Sequence, residues 1–451
     1  MRGWQRPVLI TICVLLGACL ATLVVLIPWA NLRLTKYVES DEFRAELEKQ
    51  TAKGLHFPAG HYAPIKRTGT WTAETDSFQA QEGQKALRGI DARGVTAKFN
   101  PWGVFSRVWL LQDIRIDRGQ VEIQVYEPRP EPSPPKPWYA KYILPERVYL
   151  KHVESQPADV TWRFRGKRAG IFSTRLVITP YDRDFEYDAS GGQLRMNPFP
   201  ELQVKKIHTL ITKRLLTLNQ LDLIEKSAAG AALHVEGKAG TQPNDRSVDF
   251  RFTLQDIALP NWLPADWRAH VDGLASLKIH WTGKDPKLES SAGEGDCRID
   301  RGEIHDLPFL QNLAAIAKDK SLESIKLDTC QFEVQWQFPK VEVRRLTIEQ
   351  KGKFRAEGEI IARKESLGGT IDLGVAPALL EFLTEPVMRE VFPREKEGYR
   401  WATVHLSGTL EEPRLDLSTR VIEAMKAHPA AALKILFRQL AESFHGAAGG
   451  D

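Results

Sequence analysis

Histidines, cysteines and carboxylates are the side chains in this sequence that could perform catalysis or bind a metal. The eleven histidines are scattered along the chain. His56 and His61, five residues apart beside Gly60, form only a weak metal-site pattern. His280 and His405 alternate with apolar residues, so we expect them on the solvated faces of strands.

No nucleophile elbow, phosphate-binding loop or metal-ligand spacing occurs in the sequence. The sequence therefore predicts a protein that is not an enzyme and carries no cofactor and no metal. The alternative of a hydrolase would require a cleft in which histidines and carboxylates converge, and the spacing does not predict one.

Two cysteines, Cys297 and Cys330, lie outside the apolar N-terminal segment. An even pair can form a disulfide in an oxidising compartment, and two free buried thiols are the other interpretation. Neither cysteine belongs to a CxxC motif, which argues against a redox or zinc centre.

The composition is that of a chain with a packed core. The 451 residues include 42% hydrophobic and 27% charged residues, with a net charge of +4. A charge this small, without a long basic run, argues against a dedicated nucleic-acid protein. The length allows two or three domains, or one elongated one.

The N-terminal segment Val8–Ala30 contains no charged residue. A helix of this length would reach about 34 Å, which exceeds a hydrocarbon core of about 30 Å. Trp4 and Trp29 lie near its ends, where interfacial aromatic residues are common. We expect a single uncleaved membrane anchor over residues 1–31, with the N-terminus in the cytoplasm and the bulk of the chain translocated.

Two other interpretations of this segment stay open. A cleaved secretory signal would have a shorter apolar region of about 7–15 residues and a cleavage site. The sequence Leu16–Cys19 resembles a bacterial lipoprotein box, but the apolar run continues beyond Cys19.

A short amphipathic helix is predicted directly after the anchor, within residues 32–55. Ser40 can cap its start, Asp41 is suited to the positive helix end, and Gly54 can terminate it. Phe43 and Leu47 fall on one side, which indicates a packed face.

Most of the remaining chain alternates strictly between apolar and polar residues. This period of two predicts strands with one dry face and one wet face, as in antiparallel sheets. The fold class is therefore mainly β, with a few short helices, over Leu307–Asp319, over Pro377–Phe392 with an interruption at Pro386, and near the C-terminus. The candidate apolar face consists of Val160, Trp162, Phe164, Val248, Phe250, Phe252, Leu277, Ile279, Trp281, Phe332, Val334, Trp336, Phe338, Val404 and Leu406.

The pentapeptide Arg-Ile-Asp-Arg-Gly occurs twice, at residues 115–119 and 298–302. Each copy gives an apolar strand residue, two polar residues and a glycine, and an apolar residue resumes two places later. This pattern predicts a strand–turn–strand unit with Gly119 and Gly302 in the turns. Chance, or convergence on common hairpin sequences, would also produce it.

The surroundings of both copies resemble the AsmA-like family of bacterial envelope proteins. The N-terminal motifs are the anchor Val8–Ala30, the segment Ser40–Arg44 and the strand Ile114–Val125. The sequence departs from the family in placing arginine before both glycines, at Arg118 and Arg301. The C-terminal motif positions are Gly293, Gly295, Ile299, Gly302, Ile304, Asp306, Leu307, Pro308, Leu310, Gly369–Leu373 and Gly408–Pro413. Across both motifs, the expected turn positions are Gly119, Gly302, Pro308, Gly369 and Gly408.

The resemblance implies an elongated antiparallel sheet curled into a groove-like half-tube, whose concave apolar face holds acyl chains. It divides the chain into the anchor (1–31), the helix (32–55), an N-terminal β region (56–127), a proline-rich loop (128–138), a central β region (139–290), a C-terminal β region (291–420) and a helical tail (421–451).

The implied function is a membrane-anchored periplasmic protein that binds or transfers phospholipid and supports outer-membrane assembly. The expected partners are the inner membrane, a phospholipid or another acyl-chain lipid, and envelope proteins, without nucleic acid. The alternative is a structural assembly factor for outer-membrane proteins that acts through protein contacts and carries no lipid.

Overall fold

The computed structural model describes residues 31–100, 108–124, 147–181, 184–226, 230–242, 244–306, 320, 323–381, 383–409 and 412–428. The expected anchor, the proline-rich loop, the predicted helix at Leu307–Asp319, the motif residue Pro308 and the C-terminal helix beyond residue 428 lie outside these ranges. In the described part of the chain, no helix is long and apolar enough to cross a membrane. Two compact units are present: unit 1 (residues 1–197 and 210–212) and unit 2 (residues 198–209 and 213–451).

Unit 1 begins with helical residues 31–38, followed by helix α1 (Asp41–Leu55). The predicted cap is confirmed, because the Ser40 hydroxyl accepts a hydrogen bond from the Phe43 amide at 3.2 Å. The helix continues one residue past Gly54 and ends where His56 adopts a left-handed conformation, with φ of 62°.

The sheet of unit 1 is antiparallel except around one strand. Strand β3 pairs with β1, β2 and β4, while β4 pairs with β5. Strand β5 is parallel to β6 and β7, and β8 pairs antiparallel with β7, β9 and β10. The strands are β1 (Gly60–Tyr62), β2 (Ile65–Gly69), β3 (Thr72–Ala80), β4 (Leu87–Asn100), β5 (Val108–Ile123), β6 (Arg147–Leu150), β7 (Val153–Phe164), β8 (Lys167–Tyr181), β9 (Asp184–Ser190) and β10 (Gln193–Arg195).

An apolar row crosses this sheet, and α1 covers its first strands. The row runs through Ala80, Ile90, Val121, Val160 and Ile171 on five paired strands. Ala52 of α1 is buried in the same cluster as Ala80. The helix is therefore held by its apolar side, as its sequence pattern predicted.

The described part of unit 2 is a longer antiparallel sheet with four short α-helices. Its strands pair in the order β12–β13–β14–β15–β16–β18–β19–β20–β21–β23–β24, with β17 on β16 and β22 on β23. Most of β11 (Leu202–Ile211) also belongs to this unit. The other elements are β12 (Leu215–Glu225), β13 (Ala232–Gly240), β14 (Val248–Ala258), α2 (Leu259–Trp262), α3 (Ala265–Arg268), β15 (Val271–Gly283), β16 (Ser291–His305), β17 (Ser324–Leu327), β18 (Thr329–Gln337), β19 (Lys340–Gln350), β20 (Phe354–Arg363), β21 (Ser366–Val375), α4 (Glu385–Val391), β22 (Arg394–Lys396), β23 (Tyr399–Gly408), β24 (Pro413–Leu415) and α5 (Leu417–Ala427).

Helices cover the sheet of unit 2 in two places. Helices α4 and α5 pack on β21 and β23, where Val387, Ala402 and Val404 are almost completely buried. Helix α2 packs on the ends of β14, β15 and β16 through Leu259 and Trp262. Polar contacts also hold α2 on the sheet.

A buried carboxylate fixes α2 on the sheet. Glu225, which is 2% exposed, accepts hydrogen bonds from the Asn261 side chain and from Trp262 Nε1, the latter at 3.1 Å. Hydrogen bonding of this kind offsets the cost of removing a carboxylate from water. Trp262 is therefore a packing residue of the sheet end.

The predicted turns at the repeated pentapeptide were wrong. Both copies lie inside long strands, with Gly119 in β5 and Gly302 in β16. A Cβ atom at Gly119 would lie 2.7 Å from Ser155 Oγ, and one at Gly302 would lie 3.1 Å from Leu327 Cδ1. These glycines make room for side chains of neighbouring strands and do not serve a turn.

The equivalent isoleucines of the two copies have the same role. Ile116 belongs to the cluster around Ala52 of α1, and Ile299 belongs to the cluster around Trp262 of α2. Each copy of the pentapeptide thus lies where a helix covers the apolar face of a sheet.

Two further motif glycines differ from each other. Gly369 lies inside β21, where a Cβ would overlap the carbonyl oxygen of Glu359, so the predicted turn is absent there. Gly408 ends β23 with φ of 102° and leads into the connection to β24, so a turn is confirmed at that position.

Candidate ligand-binding face

Three uncharged rows of side chains cross the sheet of unit 2. We call the part of these rows on β14, β15, β16, β18, β19 and β20 the middle face. The rows are Leu223–Leu233–Leu254–Leu277–Cys297–Phe332, then Leu221–Val235–Phe252–Ile279–Gly295–Val334–Val343–Ile360–Gly369–Leu406, and Leu218–Gly237–Phe250–Trp281–Gly293–Trp336–Val341–Ala362–Leu367.

The second row crosses ten paired strands, from Leu221 on β12 to Leu406 on β23. Nine spacings of about 4.8 Å give a length of about 43 Å. A bilayer core of about 30 Å contains two acyl-chain lengths. The row is therefore longer than the hydrocarbon core of a bilayer is thick.

The side chains of the middle face keep part of their surface in solvent. Phe252, Ile279, Val334 and Ile360 are all only half-buried. Val404, in contrast, is 2% exposed beneath α4 and α5. Apolar side chains that stay partly exposed along several adjacent strands form a continuous patch, which is unusual for a monomeric surface unless it binds something.

Aromatic residues concentrate in the third row. Phe250 stacks on Trp281 with ring centroids 5.9 Å apart and an interplanar angle of 28°. The ring of Trp336 fills the space above Gly293, because a Cβ atom there would overlap it. Trp336 and Trp281 therefore approach the same glycine from the two neighbouring strands.

The indole nitrogens of Trp281 and Trp336 are buried, and neither has a hydrogen-bond partner among the described residues. A buried donor without an acceptor costs about 1–3 kcal/mol. An acceptor on a ligand or a water molecule would remove this cost, but the rings would have to shift to admit it.

The opposite side of the same strands is polar and carries paired charges. His280 Nε2 lies 2.8 Å from Asp249 Oδ1, while Glu342 binds both Lys340 and Arg344. Two adjoining grooves of about 530 and 440 Å³ lie on this polar side. Lys340, Glu342 and Arg344 are lining residues that pair with one another, and no nucleophile is placed against His280 in the described contacts.

The predicted lining residues fall into three groups. Phe250, Phe252, Leu277, Ile279, Trp281, Phe332, Val334 and Trp336 lie together on the middle face, and Leu406 ends the second row. Val248 and Val404 are buried packing residues, and Phe338, just past β18, is 45% exposed. Val160, Trp162 and Phe164 lie on β7 of unit 1 and are not part of the middle face, which belongs to unit 2.

Several row residues were missed from the sequence, among them Val343 and Ile360. Strand β19 contains a bulge between Val343 and Leu346, which changes the phase of its apolar alternation. Strand β20 places Ala356 and Gly358 on the apolar side, and such small residues give a weak pattern. In "EIIAR" the apolar residues Ile360, Ile361 and Ala362 follow one another, so alternation alone could not have identified Ile360.

The two thiols are free and protonated. Burial raises the pKa of the Cys297 thiol to about 12, with a further contribution from nearby Cys330. Burial also raises the pKa of Cys330 to about 11. Thiols of this kind are weak nucleophiles at neutral pH, so they serve as small apolar side chains of the face.

Comparison with known proteins identifies no relative: no family model, no curated protein and no solved structure matches the chain significantly.

Proposed function

We propose that this protein is a non-catalytic, membrane-anchored lipid-binding protein whose middle face holds acyl chains. The observation that carries the proposal is the continuity of the uncharged rows, the longest of which crosses ten strands, combined with the partial exposure of Phe252, Ile279 and Val334. A protein ligand would have to match many side chains at once. An acyl chain needs only apolar surface.

The energetics favour a flexible apolar occupant. Each buried methylene group contributes about 0.8 kcal/mol, so covering about ten of them contributes about 8 kcal/mol before the entropic costs of binding. If the rings of Trp281 and Trp336 shift on binding, their buried N–H groups would donate to ester or phosphate oxygens, which supports a position for the polar part of the lipid near the aromatic row.

The cellular part of the proposal rests on the sequence. The uncharged segment Val8–Ala30 supports anchoring in the inner membrane, with the two units in the periplasm. The resemblance to AsmA-like proteins supports a curled, groove-like sheet and a role in phospholipid transfer to the outer membrane.

Mass spectrometry of co-purified lipid tests this function. Residues 31–451 would be exported to a periplasm, purified without detergent and analysed for bound apolar molecules. We expect stoichiometric phospholipid on the parent chain and on Gln335→Glu, which changes the polar side of β18. We expect its loss from Trp336→Glu and Phe250→Glu, since a carboxylate on the rows opposes acyl burial. A lipid-free, monodisperse parent chain would contradict the proposal and favour the assembly-factor alternative.

A further inference from the structure

One cluster of unit 1 joins the start of the described chain to the tip of a hairpin. The Arg67 guanidinium donates through Nη1 to the Asn31 carbonyl oxygen at 3.0 Å and to Thr35 Oγ1 at 2.7 Å. Through Nη2 it donates to the Thr70 carbonyl oxygen at 2.6 Å. The β2–β3 turn is therefore held beside residue 31.

The contact of Arg67 with Asn31 matters because residue 31 adjoins the uncharged N-terminal segment. Asn31 directly follows Ala30, the last residue of the uncharged segment. If that segment crosses the bilayer, residue 31 lies at the membrane–water interface. The turn residues bound through Arg67 must then lie at the same level.

Trp71 is an exposed residue of this turn. It follows Thr70 in the turn and is 45% exposed. Its backbone is fixed, because the Trp71 carbonyl oxygen accepts a hydrogen bond from the Phe99 amide at 2.8 Å. Trp71 is thus a large aromatic side chain on a hairpin tip that keeps nearly half of its surface in solvent.

The neighbouring helical residues 31–38 expose apolar side chains too. Leu32 is 59% exposed, Tyr37 is 54% exposed, and Leu34 is 37% exposed. Lys36 is exposed on the same helix. Tryptophan, tyrosine and a flanking cation are the residue types that favour the headgroup region of a bilayer.

We infer that Trp71, Tyr37 and Leu32 form a docking surface of unit 1 for the bilayer interface, fixed to the end of the anchor by Arg67. The inference rests on the membrane anchoring proposed above. The occupant is the interfacial layer of the membrane in which the chain is anchored. The docking orients unit 1 on the membrane, since a single anchor helix alone would leave unit 1 free to rotate relative to the bilayer.

Fluorine NMR of the full chain tests the inference. The chain would be labelled with 5-fluorotryptophan and reconstituted in vesicles, with the Trp71 resonance assigned by its absence in Trp71→Phe. A lipid carrying a nitroxide at its headgroup would then be added. Trp267, which is also 45% exposed, supplies the reference resonance for an exposed indole.

We expect loss of the Trp71 resonance by paramagnetic broadening while the Trp267 resonance stays. An unbroadened Trp71 resonance in chains that float with the vesicles would overturn the docking surface and leave the anchor intact. Equal broadening of both resonances would overturn it too, because exposure alone would then explain the effect. Chains that do not float with vesicles would show that the proposed anchoring has failed, and the docking surface with it.

Discussion

Two regions of one apolar face in unit 2 have different surroundings. On β21 and β23 the face is sealed, with Ala402 0% and Val404 2% exposed beneath α4 and α5. On β14 to β19 the same rows continue, but Phe252 and Val334 keep part of their surface in solvent. The period-two pattern is the same in both regions. The pattern therefore predicts that a face is apolar, and the covering elements decide whether it is core or surface.

The described connections between β18 and β21 are too short to cover the middle face. Two residues separate β18 from β19, three separate β19 from β20, and two separate β20 from β21. Such short turns cannot supply a helix. The segment between β21 and β23 is long enough to form α4, which brings Val387 and Val391 to the sealed end.

The largest expected effect on the free energy of unfolding comes from removing one phenylalanine side chain from each region. Phe392→Ala removes a ring that is 3% exposed, so we expect the free energy of unfolding to fall by about 3–5 kcal/mol. Phe252→Ala removes a half-buried ring, so we expect about half that loss. Chemical denaturation of both variants would measure the difference, and equal losses would mean that the middle face is packed as tightly as the sealed end.

A smaller effect is expected at the aromatic row. Gly293→Ala places a methyl group against the Trp336 ring, so the ring must leave its position on the face at a cost of about 1–3 kcal/mol. The tryptophan emission spectrum and denaturation would record the change. Gly54→Ala is the control, because no atom lies within 4 Å of its added Cβ. An unchanged spectrum in Gly293→Ala would contradict the packing of Trp336 over Gly293.

The smallest effect concerns the two thiols on β16 and β18. In a Cys13→Ser, Cys19→Ser background, we expect Cys297 and Cys330 to react slowly with a thiol reagent at pH 8, since burial raises each pKa from its ordinary value of 9.0. Removal of lipid should speed the reaction at half-buried Cys297 more than at buried Cys330. Equal rates before and after lipid removal would argue against an occupant near Cys297.

The same thiols predict a dependence of stability on pH. Above pH 9 the unfolded chain loses thiol protons that the folded chain retains up to about pH 12 at Cys297 and about pH 11 at Cys330. Proton binding by the folded state then exceeds that of the unfolded state, so the free energy of unfolding falls as the pH rises above 9. Denaturation curves at pH 8 and pH 10 would check the sign. A Cys297→Ser, Cys330→Ser variant, which should show less of this fall, is the control.

The sequence predicted those features that depend on local patterns. Ser40 caps α1, and "CQFEVQWQF" forms β18, because a cap and a period of two are read from neighbouring residues. Pro386 interrupts the predicted helix at Pro377–Phe392 as a first-turn proline, so α4 begins there and Pro377–Leu380 forms a separate 3₁₀ turn.

The sequence did not predict the features that depend on distant residues. The glycines of the repeated phrase match a turn locally, but Ser155 and Leu327 on other strands are what require them. Val404 has the same alternating context as Val334, and only the packing of α4 and α5 separates a core residue from a surface one. The boundary between the units near residue 197 likewise falls inside the predicted central region 139–290.

Photocrosslinking at two adjacent residues tests the central claim most directly. Val334 and Gln335 lie on opposite sides of β18, with Val334 on the middle face. A benzophenone side chain would replace each of them in the full chain in membranes, and the adducts formed on irradiation would be identified by mass. We expect a phospholipid adduct at position 334 and none at position 335. Absence of lipid at position 334, or equal adducts at both positions, would contradict the proposal that the middle face holds acyl chains.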